Sequence, residues 1–498
     1  MASRRIAVLT GLGAMAQILG FGYRVVMSRM VGAEVMGLYQ LVMSAYGVIQ
    51  SLTMIGLTAA LSNLTARYLA RGDYRSAREV RNSALQAFFF SLAIVGLVTI
   101  VASDSISVYI LGDARTRLGL ILLIPCGALT GIENLHKNIF YGAARPLGPA
   151  VAEVVEQVVR AGAVLGLLFC FLPQYPERTV GLILTGMVLC EVVSASVMLG
   201  LYRRFAGKMP RTGRTEKGMY REMGTIALPV GLNALVGTAL GAANSALLPQ
   251  KLLEGGMGRE QAISQLGVIS GMTMPMLAMP TVFLGAINLV LMPKVAGAYA
   301  LGQYGELEKL GRQGVGSAAK LAFPAMAMMT VVGQDLGMLL FGREDTGAFL
   351  TPLAAATLMS CFCSVFSGLL NNVGQQQWVA AVSIFGGVVQ LLCTLTLAAR
   401  PEIGLGGYVF GTVLALALEL GLLLILARRT MGLRPDWYSW LIAPGLAAAL
   451  GAANAKLLIL WLKGQGVPML YSDGMGCIFA LIQYMTALRI LTKDTGRS

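Results

Sequence analysis

Apolar runs of about 20 residues recur along the whole chain, and each is long enough to cross a lipid bilayer as a helix. The chain has 498 residues, of which 56% are hydrophobic and 12% are charged, and its mean hydropathy is +0.71. Soluble domains carry about 25% charged residues. The sequence also lacks the ten-residue alternating segments of a membrane barrel. It therefore predicts an all-α polytopic membrane protein.

We expect about fourteen membrane-spanning helices. The candidate spans lie near residues 6–28, 36–64, 83–103, 117–142, 149–172, 179–202, 223–248, 265–293, 315–340, 347–371, 377–399, 404–427, 437–460 and 474–491. The first run has no small-residue cleavage site and continues into "RVVMSRM", so we interpret it as a retained helix rather than a signal peptide.

Lysines and arginines are distributed unevenly between the alternate gaps. With both termini included, one side carries 24 of the 38 basic residues and the other side carries nine. Because cytoplasmic loops are enriched in Lys and Arg, both termini are predicted to be cytoplasmic. The formal net charge of +14 then faces anionic lipid headgroups, and no nucleic-acid partner is needed to explain it.

A basic loop, "RRFAGKMPRTGRTEKGMYRE", separates the first six spans from the remaining eight. It predicts an N-terminal lobe (1–205), a cytoplasmic linker (206–222), a C-terminal lobe (223–430) and two additional helices (431–498). "ARYLARGDYRSAREV" after span 2 and "AGAYALGQYGELEKL" after span 8 both read Tyr, a few residues, Gly, one residue, Tyr and then a charged helical turn. This echo favours two parallel repeats, an arrangement common among transporters.

Several function classes are disfavoured. The seven cysteines form no metal-ligand spacing or disulfide framework, there is a single histidine, His136, and no nucleotide-binding motif occurs. No nucleophile–base pair is apparent. We therefore expect neither an enzyme nor a resident metal or cofactor.

Charged residues inside apolar spans are costly and mark functional candidates. Arg24 lies about 18 residues into span 1, roughly 27 Å along a helix, and Arg29 follows near the span's end. Arginine can donate several hydrogen bonds to a phosphate and stays charged. We predict that Arg24 lines a cavity and binds substrate. For Arg29, snorkelling to the outer headgroups competes with substrate binding.

A second group of charges lies in spans 4 to 6. Glu133 and Lys137 are four residues apart on one helical face, with His136 near that face. Glu153, Glu156 and Arg160 form a stripe on the next span, and Glu191 lies at the depth of Arg160. Structural ion pairs compete here with a charged cavity wall or proton relay. Since buried charges are seldom left single, we expect an Arg160–Glu191 pair.

The second half carries fewer charges within its spans. Glu419 in span 12 is an ion-coupling candidate together with Glu133 and Glu191, and Lys320 is its nearest predicted partner. Asn233 and Asn244 are candidates for hydrogen bonding to sugar, and Lys137 and Arg160 are further substrate-binding candidates. Hydrogen bonding between helices is the alternative role of both asparagines.

The block "GFGYRVVMSRMVGAEVMGLYQLVMSAYGVIQSLTMIGLTAALSNLTARYLARGDYRSA" resembles the opening of the multidrug/oligosaccharidyl-lipid/polysaccharide exporter superfamily, within it the stage V sporulation protein B-type branch. "MPTVFLGAINLVLMPKVAGAYALGQY" resembles the second-lobe counterpart. The resemblance covers spans 1–12. It implies the two-lobe, V-shaped, alternating-access fold of MATE and MurJ transporters, with Arg29, and less directly Arg24, at positions of cavity arginines. Their acidic companion is not clearly matched, since Glu34 is the only nearby candidate, and no sodium site is recognisable.

The resemblance implies a flippase for a lipid-linked saccharide, a peptidoglycan precursor or a polysaccharide repeat unit, in the bacterial cytoplasmic membrane. Its expected partners are an undecaprenyl-linked substrate, membrane lipids and cell-envelope synthesis enzymes, and the chain is expected to act as a monomer. A cation-coupled multidrug antiporter of the same superfamily is the alternative, favoured by Glu191 and Glu419. A non-transporting scaffold for envelope synthesis is a third reading, and it would tolerate the loss of Arg24.

Overall fold

The computed structural model describes residues 2–210 and 218–493, which are almost entirely helical and contain no strand. The predicted linker 206–222 lies partly outside the described residues. The helices are α1 Ala2–Met54, α2 Leu57–Ala70, α3 Tyr74–Val101, α4 Ser103–Ser105, α5 Arg117–Gly142, α6 Leu147–Phe171, α7 Pro176–Gly207, α8 Met219–Glu254, α9 Arg259–Leu266, α10 Met274–Ala300, α11 Tyr304–Phe341, α12 Glu344–Asn372, α13 Gln376–Leu397, α14 Leu405–Met431, α15 Ala443–Gly464 and α16 Met469–Lys493. Short π-helical segments occur at Ile106–Ile110, Gly267–Thr273 and Tyr438–Ile442, and a 3₁₀ turn at Ala114–Thr116.

Thirteen helices of the described ranges are long and apolar enough to cross a membrane. The first, Val8–Met54, has 47 residues, which at 1.5 Å per residue is about 70 Å and more than twice the hydrocarbon thickness of a bilayer. A break at Gly32, with φ 78° and ψ 174°, divides it into two segments that are each long enough to span. The expectation of an all-α polytopic protein with about fourteen spans is confirmed.

The chain forms two compact units, Met1–Gly267 and Val268–Ser498. This division differs from the predicted lobe boundary at 206–222, because α8 and α9 pack against α1 and α2. Met219, Met223 and Ala227 of α8 belong to the same buried core as α2 and α3. Gly231 of α8 lies against the backbone of Ile55, where a Cβ atom would approach the Ile55 carbonyl carbon to 2.4 Å.

The two sequences that echo each other form the same turn, once in each unit. Gly72 and Gly302 have φ angles of 72° and 66°, in the left-handed region that favours glycine. Asp73 N donates to Tyr68 O and Gln303 N donates to Ala298 O, both at 2.9 Å. Each turn joins two long helices, α2 to α3 and α10 to α11. This shared geometry supports the predicted internal repeat.

The last two helices pack against each other and against α11 within the second unit. Lys463 at the end of α15 contacts Asp335 of α11 at 2.6 Å and Asp473 of α16 at 3.2 Å. Tyr484 of α16 donates to the Lys320 carbonyl at 3.1 Å. These polar contacts hold the α15–α16 hairpin against α11 at two points, Asp335 and the Lys320 carbonyl.

We expect Gly37→Ala to lower the melting temperature of the detergent-solubilised protein. A Cβ atom at Gly37 would lie 2.0 Å from the Ile263 carbonyl oxygen of α9, and overpacking of this kind typically costs about 1–3 kcal/mol. Gly47→Ala in the same helix is the matched control, because nothing lies within 4 Å of its Cβ position. Equal melting temperatures for the two variants would contradict the close α1–α9 packing.

Candidate functional site

Five charged side chains of α5, α6 and α7 form a sequence of alternating charge, which we call the charged ring: Glu133, Lys137, Glu156, Arg160 and Glu191. Lys137 Nζ lies 2.6 Å from Glu133 Oε1 and 3.0 Å from Glu156 Oε2. Arg160 Nη2 contacts Glu156 Oε1 and lies 3.1 Å from Glu191 Oε1. The ring closes because one oxygen from each carboxylate lies within 4.8 Å of the others.

The ring is built by local helix geometry and then by packing. Glu133 and Lys137, like Glu156 and Arg160, are four residues apart and share a helical face. Arg160 and Glu191 lie near the midpoints of α6 and α7, so packing of these helices brings them together. The predicted Arg160–Glu191 pair is confirmed. Glu156 was expected only as part of a stripe, but it is the carboxylate that joins both cations.

The ring is almost fully buried. Glu133, Glu156 and Glu191 are 1%, 8% and 2% exposed. Among the described residues, Glu191 Oε2 and Ser194 Oγ, one helical turn further along α7, are buried without a hydrogen-bond partner. Three carboxylates could hold a metal ion, but Lys137 and Arg160 already occupy most of their oxygens. The arrangement is chemically suited to binding a small positive charge next to Glu191 Oε2.

His136 does not face the charged ring, contrary to the sequence-based expectation. Its Nδ1 lies 2.7 Å from the Ile132 carbonyl, and its Nε2 lies 3.2 Å from Arg81 Nε. If Nδ1–H donates to that carbonyl, Nε2 is left to accept from Arg81, which fixes a neutral imidazole. Arg81 also stacks over the Tyr202 ring at 4.6 Å. The sequence does not predict this contact, because Arg81 precedes the predicted third span, 83–103, whereas α3 already begins at Tyr74.

Arg24 and Arg29 are both exposed on α1. Tyr23 and Tyr39 lie within electrostatic range of both Arg24 and Arg160, which places Arg24 on the same region of the first unit as the charged ring. Glu34 does not accompany Arg24, because it pairs with Arg115 at 2.6 Å. The positive charge of Arg24 is therefore available to a ligand.

The remaining candidates do not gather around the charged ring. On α8, Asn233 is exposed and Asn244 is buried. In the second unit, Glu419 accepts a hydrogen bond from Ser383 Oγ at 2.7 Å. The expected partner of Glu419, Lys320, is exposed and makes no ion pair with it among the described residues. That expectation is wrong, because a hydroxyl group on the neighbouring helix α13 satisfies the carboxylate.

An apolar cavity of about 640 Å³ lies within the first unit, between α1, α3, α8 and the segment that follows α3. The α8 side consists of small residues, which leave the space open: Ala239, Ala242, Ala243 and Ala246. Thr99, Tyr109 and Gln250 are the polar residues of the lining. Such a cavity accommodates hydrocarbon and excludes charged groups.

Curated relatives and solved structures resemble most of the chain. Stage V sporulation protein B of Bacillus subtilis (strain 168) is 22% identical over 84% of this chain and 80% of its own. Lipid II flippase MurJ of the same organism is 24% identical over 78% and 76%. A solved structure of lipid II flippase MurJ in an inward closed conformation covers 99% of this chain and 100% of its own, with a TM-score of 0.72 at 10% identity.

An inward-facing multidrug resistance MATE transporter of the MOP superfamily covers 84% of this chain and 94% of its own, with a TM-score of 0.67 at 16% identity. The fold is thus shared by MurJ and MATE transporters, as the sequence resemblance implied. The polysaccharide biosynthesis protein family model matches residues 3–297, more than half of the chain. This chain therefore belongs to the polysaccharide biosynthesis protein family.

Proposed function

We propose that this protein is a flippase that moves a lipid-linked saccharide, a peptidoglycan precursor or polysaccharide repeat unit, across the bacterial cytoplasmic membrane by alternating access. Membership of the polysaccharide biosynthesis family and the similarity to stage V sporulation protein B and MurJ support this assignment. The observation that carries it is Arg24, an exposed arginine in an apolar span. The acidic residue nearest to it in the sequence, Glu34, pairs with Arg115 instead.

The substrate class follows from the chemistry of this surface. A lipid-linked saccharide combines a pyrophosphate, a sugar and a long hydrocarbon chain. Arg24 and Arg29 would bind the pyrophosphate through charge-assisted hydrogen bonds, and Asn233 and Asn244 would contact sugar. The apolar cavity next to α8 suits the hydrocarbon chain. Lys137 and Arg160 are paired with carboxylates, so they would bind substrate directly only if one of these ion pairs opened.

The membrane arrangement is part of the proposal. The excess of basic residues supports cytoplasmic N- and C-termini, with 206–222 as a basic cytoplasmic linker between two lobes. We infer a monomer that exchanges substrate with lipid-bound enzymes of envelope synthesis. Glu133, Glu191 and Glu419 are proposed as ion-coupling residues, since each is a carboxylate within a predicted span.

The test is a leaflet-accessibility assay for undecaprenyl-linked peptidoglycan precursor in cells depleted of their own flippase. If this protein is the flippase, its expression restores labelling of the precursor in the outer leaflet. If the protein reaches the membrane and no labelling returns, peptidoglycan precursor is not its cargo. The same assay with other lipid-linked glycans would then identify the saccharide that the protein transports.

A cation-coupled multidrug antiporter is the second candidate. The buried carboxylates Glu133, Glu156 and Glu191 favour it, as does the structural similarity to MATE transporters. This function requires that expression raise the resistance of a pump-deficient host to cationic drugs. A protein that restores outer-leaflet precursor but confers no resistance is a flippase alone.

A further inference from the structure

The charges of the ring do not balance. Three carboxylates meet two cations, so with every group ionised the ring carries one excess negative charge. An uncompensated charge at the midpoint of a membrane helix is strongly unfavourable. Glu133 and Glu191 are the two ends of the alternating sequence, and their carboxylate oxygens approach each other within 4.8 Å. The excess negative charge therefore lies between these two carboxylates.

No nearby group supplies the missing positive charge. The titratable side chains within electrostatic range of the ring are Tyr23, Tyr39 and Tyr46 of α1, Cys126 and Tyr141 of α5, and Cys190 of α7. Phenols and thiols are neutral near pH 7, so they add no charge. Arg24 is the other cation in electrostatic range of this region, and it forms no ion pair with a ring carboxylate among the described residues.

Hydrogen bonding points to the same position. Glu156 is bound by both Lys137 and Arg160. Glu191 uses only Oε1, and its Oε2 is buried without a partner. A buried carboxylate oxygen without a donor is costly, whereas a protonated carboxyl supplies its own donor. Two carboxylates in close contact cannot both remain ionised at low cost.

We propose that the charged ring binds one proton, held between Glu191 and Glu133, and that this proton is the coupling ion of the transporter. Binding adds the proton to a carboxylate oxygen and gives a neutral carboxyl that donates to the opposing carboxylate. Release returns the proton to water and leaves the ring with its excess negative charge. The coupling rests on the proposed function, whereas the bound proton does not.

Infrared spectroscopy of the purified protein in lipid nanodiscs tests the bound proton directly. A protonated carboxyl has a C=O stretching band that a carboxylate lacks, and this band shifts in D₂O. We expect the wild type to show the band at neutral pH and Glu191→Gln to lose it. Glu402→Gln is the control and retains the band, because Glu402 is an exposed carboxylate of the second unit.

Stability provides a second measurement on the same samples. Glutamine mimics a protonated glutamate, so Glu191→Gln should keep the melting temperature of the wild type. A marked loss of stability in this variant would overturn the proposal. A wild-type spectrum whose C=O band survives in both Glu191→Gln and Glu133→Gln would also overturn it. So would a sodium-specific rise in melting temperature, that is, a rise in sodium chloride but not in choline chloride, if the wild type shows it and Glu191→Gln does not. That last result would assign the position to a sodium ion.

Transport tests the coupling separately. In proteoliposomes, the wild-type rate of precursor translocation should respond to an imposed pH gradient, and Glu191→Gln should abolish this response. If the band is lost in Glu191→Gln while translocation keeps its pH response, the proton is bound but does not couple transport, and that half of the proposal is wrong. If the wild type translocates no precursor, the infrared result still decides the bound proton, and the proposed function alone has failed.

Discussion

Arg160→Gln should destabilise the protein more than any other single substitution in the charged ring. It leaves Glu133, Glu156 and Glu191 with Lys137 as their only cation, so the buried excess of negative charge grows. Removing one partner of a buried ion pair costs about 3–5 kcal/mol. We expect a marked fall in melting temperature in detergent. The deficit should shrink as the pH is lowered, because protonation of the carboxylates removes the negative charge.

The double variant Arg160→Gln/Glu191→Gln tests whether this loss arises from the ring. The second substitution removes the carboxylate oxygen that the single variant leaves buried without its Arg160 donor, so we expect the double variant to recover part of the stability lost in the single variant. Arg178→Gln is the matched control, since Arg178 is exposed at the start of α7. If Arg160→Gln has the same melting temperature as the control, or if the double variant has a lower melting temperature than Arg160→Gln, the Arg160–Glu191 contact does not stabilise the fold.

Sequence spacing was sufficient to predict contacts within one helix and contacts between residues at the same depth in neighbouring spans. Glu133–Lys137 and Glu156–Arg160 follow from the spacing of four residues in a helix. Arg160–Glu191 follows from counting residues along two neighbouring spans. The all-helical fold with its repeated turn likewise follows from apolar runs and from the positions of Gly72 and Gly302.

The remaining contacts depend on helix rotation and tilt, which periodicity does not determine. His136 is turned toward Arg81 rather than toward Glu133, and Glu419 is turned toward Ser383 rather than Lys320. The unit boundary depends on close backbone approach between α8 and the start of α2, where Gly56 lies against Ala227. No hydropathy pattern encodes this backbone contact, so the position of the basic loop does not predict where the first compact unit ends.

Arg24→Ala should reduce outer-leaflet delivery of the lipid-linked saccharide about 10- to 100-fold without loss of membrane insertion. Arg24 is exposed and holds no other part of the fold, so its removal leaves the helices packed. A hydrogen bond to a charged group is worth about 1.5–3 kcal/mol, and each 1.36 kcal/mol corresponds to a tenfold change in rate. The measurement is the leaflet-accessibility assay, normalised to the amount of protein in the membrane.

Arg24→Lys separates charge from geometry. Lysine keeps the positive charge but lacks the planar fork that donates two parallel hydrogen bonds to a phosphate, so its activity should lie between those of Arg24→Ala and the wild type. Arg178→Ala, an exposed arginine outside span 1, should transport normally. If Arg24→Ala transports at the wild-type rate, Arg24 only anchors α1 at the outer headgroups, and the substrate's negative charge must be balanced elsewhere in the protein.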